Sequence, residues 1–430
     1  MDHTTSLYIH NYLMLFIFVI GYLGIAFEHV IKVNKTAIAL LTGVALWTIH
    51  FLANNLSATE DIEQFKHHFS DISELIFFLL GSMAIVELID AHQGFKIITD
   101  TITTRSKMKM LWLTSILCFF LSAVLDNLTT TIVMVSLMRK LIEKQEDRWI
   151  FGAAIVISAN AGGSWTPIGD VTTTMLWMEG MITSIQVMKS LFIPAVISLI
   201  VSLIYQSFFL KGEFAPRNKS TISKALEPRA KIILGLGIAS LIFVPIFKSI
   251  THLPIFVGTL LGVGFLWMIT DLLHHKHEER AHLRLPHVFG KIDISGVLFF
   301  LGILLAVAAL DTTGLLKKLS ILLDTYIASP NMIALLIGVI SAIIDNVPLV
   351  AATMSMYSLE QFPVDSPFWE LVAYCAGTGG SILIIGSAAG VAYMGMEKVP
   401  FFWYLRKVTP VALIGYLAGA GAYIAINAFM

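Results

Sequence analysis

The stretch Ser122-Ala-Val-Leu-Asp126-Asn127 recurs in the second half of the chain as Ser341-Ala-Ile-Ile-Asp345-Asn346. Each aspartate is the only charged residue of a long apolar run, which covers residues 110–138 in the first case and 330–359 in the second. An ionised side chain in membrane-grade sequence is costly and is retained mainly for function. The repetition therefore predicts one functional site that is built from two related halves.

The composition is that of a membrane protein. The 430 residues are 57% hydrophobic and only 13% charged, and the mean hydropathy is +0.81, whereas a soluble domain has about 25% charged residues. We therefore expect an all-α polytopic protein that lies in the lipid bilayer. The net charge of −1 argues against a nucleic-acid partner, which would require a basic face. Both cysteines, Cys118 and Cys375, lie in apolar runs and are expected to be buried thiols.

The repeat extends beyond the two aspartates. Residues 40–47 resemble residues 260–267, and residues 71–78 resemble residues 293–300. Gly162-Gly-Ser164 likewise matches Gly379-Gly-Ser381. Matches in the same order and at nearly constant spacing predict a first repeat at residues 1–210, a cytoplasmic linker at 211–230 and a second repeat at 231–430.

The basic residues predict the orientation, because short cytoplasmic loops are enriched in Lys and Arg. They are concentrated in five segments, namely 96–109, 139–148, 211–231, 276–291 and 398–407. Both ends of the apolar run at 110–138 are basic, so this run is predicted to be a re-entrant hairpin with Asp126-Asn127 at its tip. Its counterpart at 331–357, with Asp345-Asn346 at the tip, is expected to enter from the other side.

Each half is thus predicted to contain five transmembrane spans and one re-entrant hairpin. The odd number of spans inverts the second half relative to the first and places both termini on the periplasmic side. Two inverted repeats with interrupted helices are typical of secondary transporters. The predicted spans lie near residues 12–31, 36–53, 72–91, 149–178, 190–210, 231–247, 254–273, 293–311, 368–396 and 409–428.

Two of these spans are predicted to be broken at mid-membrane. The first reads Asn160-Ala-Gly-Gly-Ser-Trp-Thr-Pro-Ile-Gly-Asp170, and the second contains several glycines between residues 377 and 386. Glycine and proline interrupt a helix, and the freed carbonyls and side-chain oxygens can replace the water shell of a small hard cation. Alternatively, these small residues only permit close helix packing.

The hairpin tips offer carboxylate oxygens from Asp126 and Asp345 and amide oxygens from Asn127 and Asn346. These residues could also cap the helical arms, and the two roles are compatible. Asp170 is expected both to cap the next helix and to bind the ion directly. The predicted Na⁺ ligands are thus Asp126, Asn127, Asp170, Asp345 and Asn346.

The charge balance of these segments favours a cationic substrate. Neither the hairpins nor the broken helices contain Lys or Arg, which an anion carrier would be expected to place at its substrate. Burial penalises the charged form of a carboxyl group, so a buried acid can exchange a proton for a metal ion near neutral pH. Glu87 is a candidate proton carrier, or an interfacial residue that extends to solvent. We expect no cofactor, only Na⁺ or Li⁺ and H⁺ as transported ions.

A cluster of histidines lies in a predicted cytoplasmic loop. It comprises His274, His275, His277, His282 and His287. Such a cluster is consistent with a metal site or a pH sensor, but we interpret it as a solvated loop.

In the motifs above the chain resembles the NhaD-type sodium/proton antiporters of the ion transporter superfamily, over essentially its whole length. The resemblance implies exchange of Na⁺ or Li⁺ for H⁺ across a bacterial inner membrane. It also implies a homodimer with scaffold helices near 12–53 and 231–273 and a moving transport part near 72–210 and 293–430. The family positions implicated in transport correspond here to Asp126, Asn127, Asn160, Asp170, Thr172, Thr173, Ser341, Asp345, Asn346 and Ser381.

Three other functions are compatible with parts of the pattern. An anion carrier of the same superfamily would transport arsenite or a carboxylate, although sodium–dicarboxylate carriers have Ser-Asn-Thr at both tips and this chain has Asp-Asn-Leu and Asp-Asn-Val. An intramembrane aspartyl protease would use Asp170 and Asp345, but it would leave the repeat unexplained. A channel fits two oppositely oriented hairpins less well than a carrier that works by alternating access.

Overall fold

The computed structural model describes residues 3–53, 58–99, 102, 104–208, 210, 212–214, 227, 229–275, 278–327 and 329–429. Within these ranges the chain forms helices and no strand. The helices are α1 (His3–Ala26), α2 (Glu28–Ile31), α3 (Lys35–Ala53), α4 (Ala58–Ala91), α5 (Gly94–Thr99), α6 (Lys107–Leu125), α7 (Asn127–Leu141), α8 (Gln145–Gly163), α9 (Val171–Met178), α10 (Ser184–Ser207), α11 (Ala230–Thr251), α12 (Ile255–His274), α13 (Leu285–Phe289), α14 (Ile294–Asp311), α15 (Leu315–Tyr326), α16 (Pro330–Ser341), α17 (Asn346–Met356), α18 (Pro367–Gly379), α19 (Ala388–Glu397), α20 (Phe401–Lys407) and α21 (Thr409–Phe429).

The packing divides the chain into two compact units that are interleaved along the sequence. The smaller unit contains residues 1–80, 293–329 and 347–361. The larger unit contains residues 81–292, 330–346 and 362–430. The repeat boundaries and the scaffold and transport parts stay predictions, and the predicted linker at 211–230 lies mostly outside the described residues.

The protein is a multi-pass membrane protein by the length and composition of its helices. Eight helices in the described part of the chain are long and apolar enough to cross a bilayer, since about 20 apolar residues are needed. Seven of them are predicted spans, namely α3, α4, α10, α11, α12, α14 and α21. Both predicted breaks are present, because residues 164–170 separate α8 from α9 and residues 380–387 separate α18 from α19. Their depth in the bilayer and the inversion of the repeats stay predictions.

The first hairpin differs in length from the prediction. Helix α6 begins at Lys107, where Ser106 caps it, and Lys107 forms an ion pair of 2.8 Å with Asp147. This anchored start gives α6 19 residues, so it is the eighth helix long enough to span. The sequence prediction of two short arms was therefore wrong for this arm, although the turn lies at Asp126 as expected and α6 and α7 pack against each other.

Besides short helices such as α5, α13 and α20, two longer helical segments were not expected from the sequence. Helix α4 begins at Ala58, well before the predicted span near 72–91. The additional helical residues include Glu60, Glu63, Gln64 and Lys66, which are strong helix formers despite their polarity. Helix α15 was missed because Leu316 and Ser320 are buried while its lysines lie on the exposed side. Such an amphipathic helix carries no long apolar run.

Packing inside the larger unit repeats at matching positions of the two halves. An added Cβ at Gly162 of α8 would collide with the carbonyl of Phe119 in α6, and one at Gly379 of α18 would collide with the carbonyl of Gly338 in α16. Ser122 donates to the carbonyl of Ala159 at 2.6 Å. Ser341 donates to that of Ala376 at 3.4 Å. The crossing of hairpin arm and broken helix is therefore the same in both halves.

The close approach of α3 and α14 in the smaller unit depends on glycine. An added Cβ at Gly302 would lie 2.5 Å from the backbone nitrogen of Leu40 and 2.6 Å from the carbonyl carbon of Ala39. Without a side chain at this position, two membrane helices approach closely enough for extensive van der Waals contact. This contact replaces the hydrophobic effect, which is weak between helices in lipid.

We predict that Gly302→Ala lowers the free energy of unfolding by about 1–3 kcal/mol, because the methyl group forces α3 and α14 apart. Thermal unfolding in detergent measures the change. Gly264→Ala is the matched control, because a Cβ at that helical glycine has no described atom within 4 Å. Equal melting temperatures for the two variants would contradict this account of the helix crossing.

Candidate ion-binding site

Asn127 joins the tip of the first hairpin to the first broken helix. Its Nδ2 donates to Oδ1 of Asn160 at 3.0 Å and to Oδ2 of Asp170 at 2.6 Å. The exposed fractions of these three side chains are 5%, 0% and 1%. A polar cluster that is buried to this degree is stable only because its groups hydrogen-bond one another.

Asn160 extends the cluster to the second broken helix. Its Nδ2 donates to Oγ of Ser381 at 2.9 Å and to Oγ of Ser387 at 3.0 Å. Both serines are buried and flank the unwound segment after α18. The structure therefore brings together side chains from both halves of the sequence around Asn160.

Asp170 is held in place by the helix that it caps. Its Oδ1 accepts hydrogen bonds from the backbone nitrogen of Thr172 at 2.9 Å and from the Thr172 hydroxyl at 2.7 Å. The carboxylate therefore lies at the N-terminus of α9, where the helix dipole favours negative charge. The hydroxyl of Thr173 is also buried, and it has no hydrogen-bond partner among the described residues.

Asp126 occupies a strained backbone conformation between the two hairpin arms. Its φ is 81° and its ψ is 159°, a region that is accessible almost only to glycine. Its carboxylate caps α7 by accepting from the backbone nitrogen of Thr129 at 2.7 Å and from the Thr129 hydroxyl at 2.9 Å. Strain of this kind persists where the surrounding structure imposes it, often at functional sites.

The tip of the second repeat has a different backbone. Helix α16 ends at Ser341 in a short turn, in which the nitrogens of Ile343 and Ile344 donate to the carbonyl of Ile340. Asn346 is buried and Asp345 is half-buried. Asp345 is close enough for its charge to act on Asp170, whose charge acts in turn on Asp126. The second hairpin stays a prediction, since its two arms belong to different units.

Glu87 lies in a different environment. It is half-buried near the end of α4, where the charges of Asp90 and Lys291 act on it. A basic partner at a helix end is compatible with the interfacial alternative. Its role as a proton carrier stays a prediction.

Glu397 connects the elements that bear the cluster, at the end predicted to be cytoplasmic. It is 3% exposed, and its carboxylate accepts from Nε of Arg139 at 2.7 Å and Nε of Arg148 at 2.9 Å. The indole of Trp149 donates to its backbone carbonyl at 3.1 Å. This ion-paired cluster joins α7, α8 and α19, so the hairpin tip is positioned relative to both breaks.

Sequence reasoning missed three features of this region. Ser387 was missed, although the spacing that relates Gly162 to Gly379 also relates Asp170 to Ser387, and this equivalence could have identified Ser387 as part of the cluster. The Glu397 clamp was missed because its arginines were used only to predict orientation. The solvated-loop interpretation is wrong for His274, which is 1% exposed and lies 3.1 Å from His92 between their Nε2 atoms, while His277 lies outside the described residues.

The cluster can coordinate a cation or hold a proton. Oδ1 of Asn160 and Oδ2 of Asp170 converge on one point, which the Asn127 amide nitrogen occupies. Among the described hydrogen bonds of the cluster, none comes from Lys or Arg, so Asp170 has no cationic partner there. A buried carboxylate in such a setting requires neutralisation by a proton or a metal ion.

The chain matches one family profile and several proteins that are named sodium/proton antiporters. A profile of the citrate transporter family matches residues 14–377. The chain is 52% identical to sodium/proton antiporter 1 of Arabidopsis thaliana, over 96% of this chain and 72% of that protein. It is 51% identical to sodium/proton antiporter 2 of the same plant, over 97% of this chain and 100% of that protein. It is 30% identical to the Na⁺/H⁺ antiporter NhaD of Alkalimonas amylolytica, over 100% of this chain and 92% of that protein.

We predict that Asp126→Gly is more stable than Asp126→Ala by about 1–3 kcal/mol, because only glycine adopts this backbone conformation without strain. Both variants lose the Thr129 cap, so their difference isolates the backbone term. Thermal unfolding in detergent gives the comparison. A melting temperature of Asp126→Ala equal to or above that of Asp126→Gly would show that the tip is unstrained.

Proposed function

The chain belongs to the citrate transporter family, and within it to the NhaD-type sodium/proton antiporters, and from this premise we propose that it exchanges Na⁺ or Li⁺ for H⁺. The relatives named above are antiporters rather than enzymes, and a cation/proton antiporter of the ion transporter superfamily is the function that the matches support. Cation selectivity, the coupling mechanism and the roles of individual residues belong to the proposal.

The observation that carries the proposal is the pair of oxygens that converge on the Asn127 amide. In the described state, the amide group of Asn127 donates hydrogen bonds to Oδ2 of Asp170 and Oδ1 of Asn160. A Na⁺ ion that displaces this amide meets both oxygens. Rotation of the amide then adds the neutral Oδ1 of Asn127 as a third oxygen ligand. Hard cations prefer oxygen ligands.

Competition at the same carboxylate couples the two ions. Protonation of Asp170 removes the anionic ligand and satisfies the group without a cation, whereas Na⁺ binding requires that the proton leaves. Asp126 and Asp345 lie within electrostatic range of this exchange and raise the affinity for a positive charge. Thr173 offers a further buried hydroxyl oxygen, and Thr172, Ser341, Asn346 and Ser381 complete the proposed set.

Alternating access is proposed to move this cluster as one body. The Glu397 clamp ties the hairpin arm α7 to both broken helices, so the tip and the breaks keep their geometry during a displacement. This rigidity supports the elevator-type movement expected from the resemblance. The homodimer and the periplasmic termini remain part of the proposal.

The proposed membrane depends on the source of the chain. The NhaD relatives are bacterial, which agrees with an inner membrane. The two relatives with about half of their residues identical are plant proteins. The bacterial inner membrane stays a prediction.

An anion carrier is the second candidate, because the matching profile bears the description of citrate transporters. A carboxylate substrate would meet Asp126, Asp170 and Asp345 without a basic group hydrogen-bonded to the described cluster. Such an arrangement repels an anion, so cation exchange is the better-supported function. Uptake of labelled citrate or arsenite into proteoliposomes under a Na⁺ gradient distinguishes the two functions. We expect no uptake, whereas uptake would favour the anion carrier.

We predict that Asp170→Asn reduces Na⁺-driven proton flux at least about tenfold, because it removes the anionic ligand and the exchangeable proton together. Asp126→Asn and Asp345→Asn are expected to abolish the flux as well. Flux is measured with a pH-sensitive dye in proteoliposomes containing purified protein.

Asp293→Asn is the matched control. Asp293 caps α14 by accepting from the backbone nitrogen of Gly296, and asparagine caps about equally well. Its flux is expected to match that of the unmodified protein. Normal flux in Asp170→Asn would remove this residue from the proposed site.

A further inference from the structure

A second buried carboxyl group lies outside the cluster. Glu370 is the fourth residue of α18 and is 2% exposed. Its Oε1 lies 3.0 Å from Nε2 of Gln186 in α10, which donates to it. Its Oε2 lies 2.5 Å from the hydroxyl oxygen of Tyr423 in α21. Three helices of the larger unit therefore meet at this carboxyl group.

The hydrogen bonds around Tyr423 favour a protonated Glu370. The Tyr423 hydroxyl also lies 3.2 Å from the carbonyl oxygen of Pro367, which can only accept. A tyrosine has one hydroxyl proton, so it cannot donate to both oxygens. Both contacts are satisfied when Glu370 donates its proton to Tyr423 and Tyr423 donates to Pro367.

The charges around Glu370 contrast with those around Glu397, at the other end of the same broken helix. Glu397 is equally buried, but two arginines neutralise it permanently. The groups described around Glu370 are neutral donors from Gln186, Ser190 and Tyr423, and the charge that acts on it is the negative one of Asp365. Burying an isolated carboxylate is costly, so the neutral form is favoured.

The ionised form is nevertheless accessible. Glu370 lies in the first turn of α18, where the helix dipole stabilises negative charge, and in the ionised form two side chains can donate to it. Gln186, which covers it, is exposed to the outside of the protein. Glu370 is thus a group that can gain and lose a proton without leaving its position.

Two polar side chains lie on α18 between Glu370 and the ion-binding cluster. Tyr374 and Thr378 follow Glu370 at intervals of about one turn. The Tyr374 hydroxyl donates to the carbonyl of Tyr416 at 3.0 Å, and the Thr378 hydroxyl donates to the carbonyl of Tyr374 at 2.6 Å. Glu370 and Thr378 are about 12 Å apart along the helix axis. Thr378 is the penultimate residue of α18, next to the unwound segment that supplies Ser381.

We propose that Glu370 is a second proton-binding group of the antiporter, through which protons pass between the cluster and the solvent at the Gln186 end of α18. The inference rests on the proposed antiport function. In the release step the O–H bond of the carboxyl group breaks, the proton leaves on water, and the carboxylate keeps the electron pair and accepts a hydrogen bond from the Tyr423 hydroxyl, which keeps its proton. Reprotonation from the cluster side restores the carboxyl group.

The test compares two transport modes of Glu370→Gln in proteoliposomes. Glutamine retains the size of the side chain but cannot release a proton. We expect Na⁺-driven proton flux to fall at least about tenfold, while exchange of ²²Na⁺ for Na⁺ at equal pH, which needs no proton transfer, stays within about twofold of the unmodified protein. Unchanged proton flux would overturn the proposal.

Two further readouts separate the remaining outcomes. An equal loss of both modes together with a lower melting temperature would assign Glu370 a structural role and also overturn the proposal. For Tyr423→Phe, which removes both the acceptor of the Glu370 proton and a donor to the carboxylate, we expect the pH of half-maximal proton flux to shift, and an unshifted profile would count against the proposal. Absence of both modes in the unmodified protein would instead refute the antiport function itself.

Discussion

A carboxyl group that is buried without a basic partner requires a positive charge from outside the protein, and this constraint organises the larger unit. Asp170 is 1% exposed and accepts from Asn127 and Thr172, all of which are neutral donors. Neutral donors lower the cost of burying the charge but do not remove it. The group is therefore stable with a proton or with a metal ion, and the competition between the two is the proposed basis of exchange.

The two breaks and the hairpin tip create this situation together. An intact helix would satisfy its own backbone groups and would leave no N-terminus for Asp170 to cap. The tip delivers Asn127 to the break only because Asp126 adopts a strained conformation. The Glu397 clamp fixes the other end of the hairpin arm. Strain at the tip and the ion pairs of the clamp thus hold an arrangement that local preferences alone would not form.

Much of this architecture could be predicted from the sequence. Apolar runs, Gly-Pro interruptions and the duplicated Asp-Asn pair indicate the spans, the breaks and the residues around Asn127. The chain could not reveal which partners meet in space, such as Ser387 with Asn160 or His92 with His274. It also gave no signal for the backbone of Asp126, because its repeat counterpart Asp345 likewise precedes an asparagine but follows an ordinary turn.

The most direct test of the central claim counts the protons released when purified protein binds Na⁺ in weakly buffered detergent solution. The account predicts that Na⁺ binding releases protons in the unmodified protein and that Asp170→Asn neither binds Na⁺ nor releases protons. Binding of Na⁺ without proton release, or Na⁺ affinity in Asp170→Asn equal to that of the unmodified protein, would contradict competition at this carboxylate.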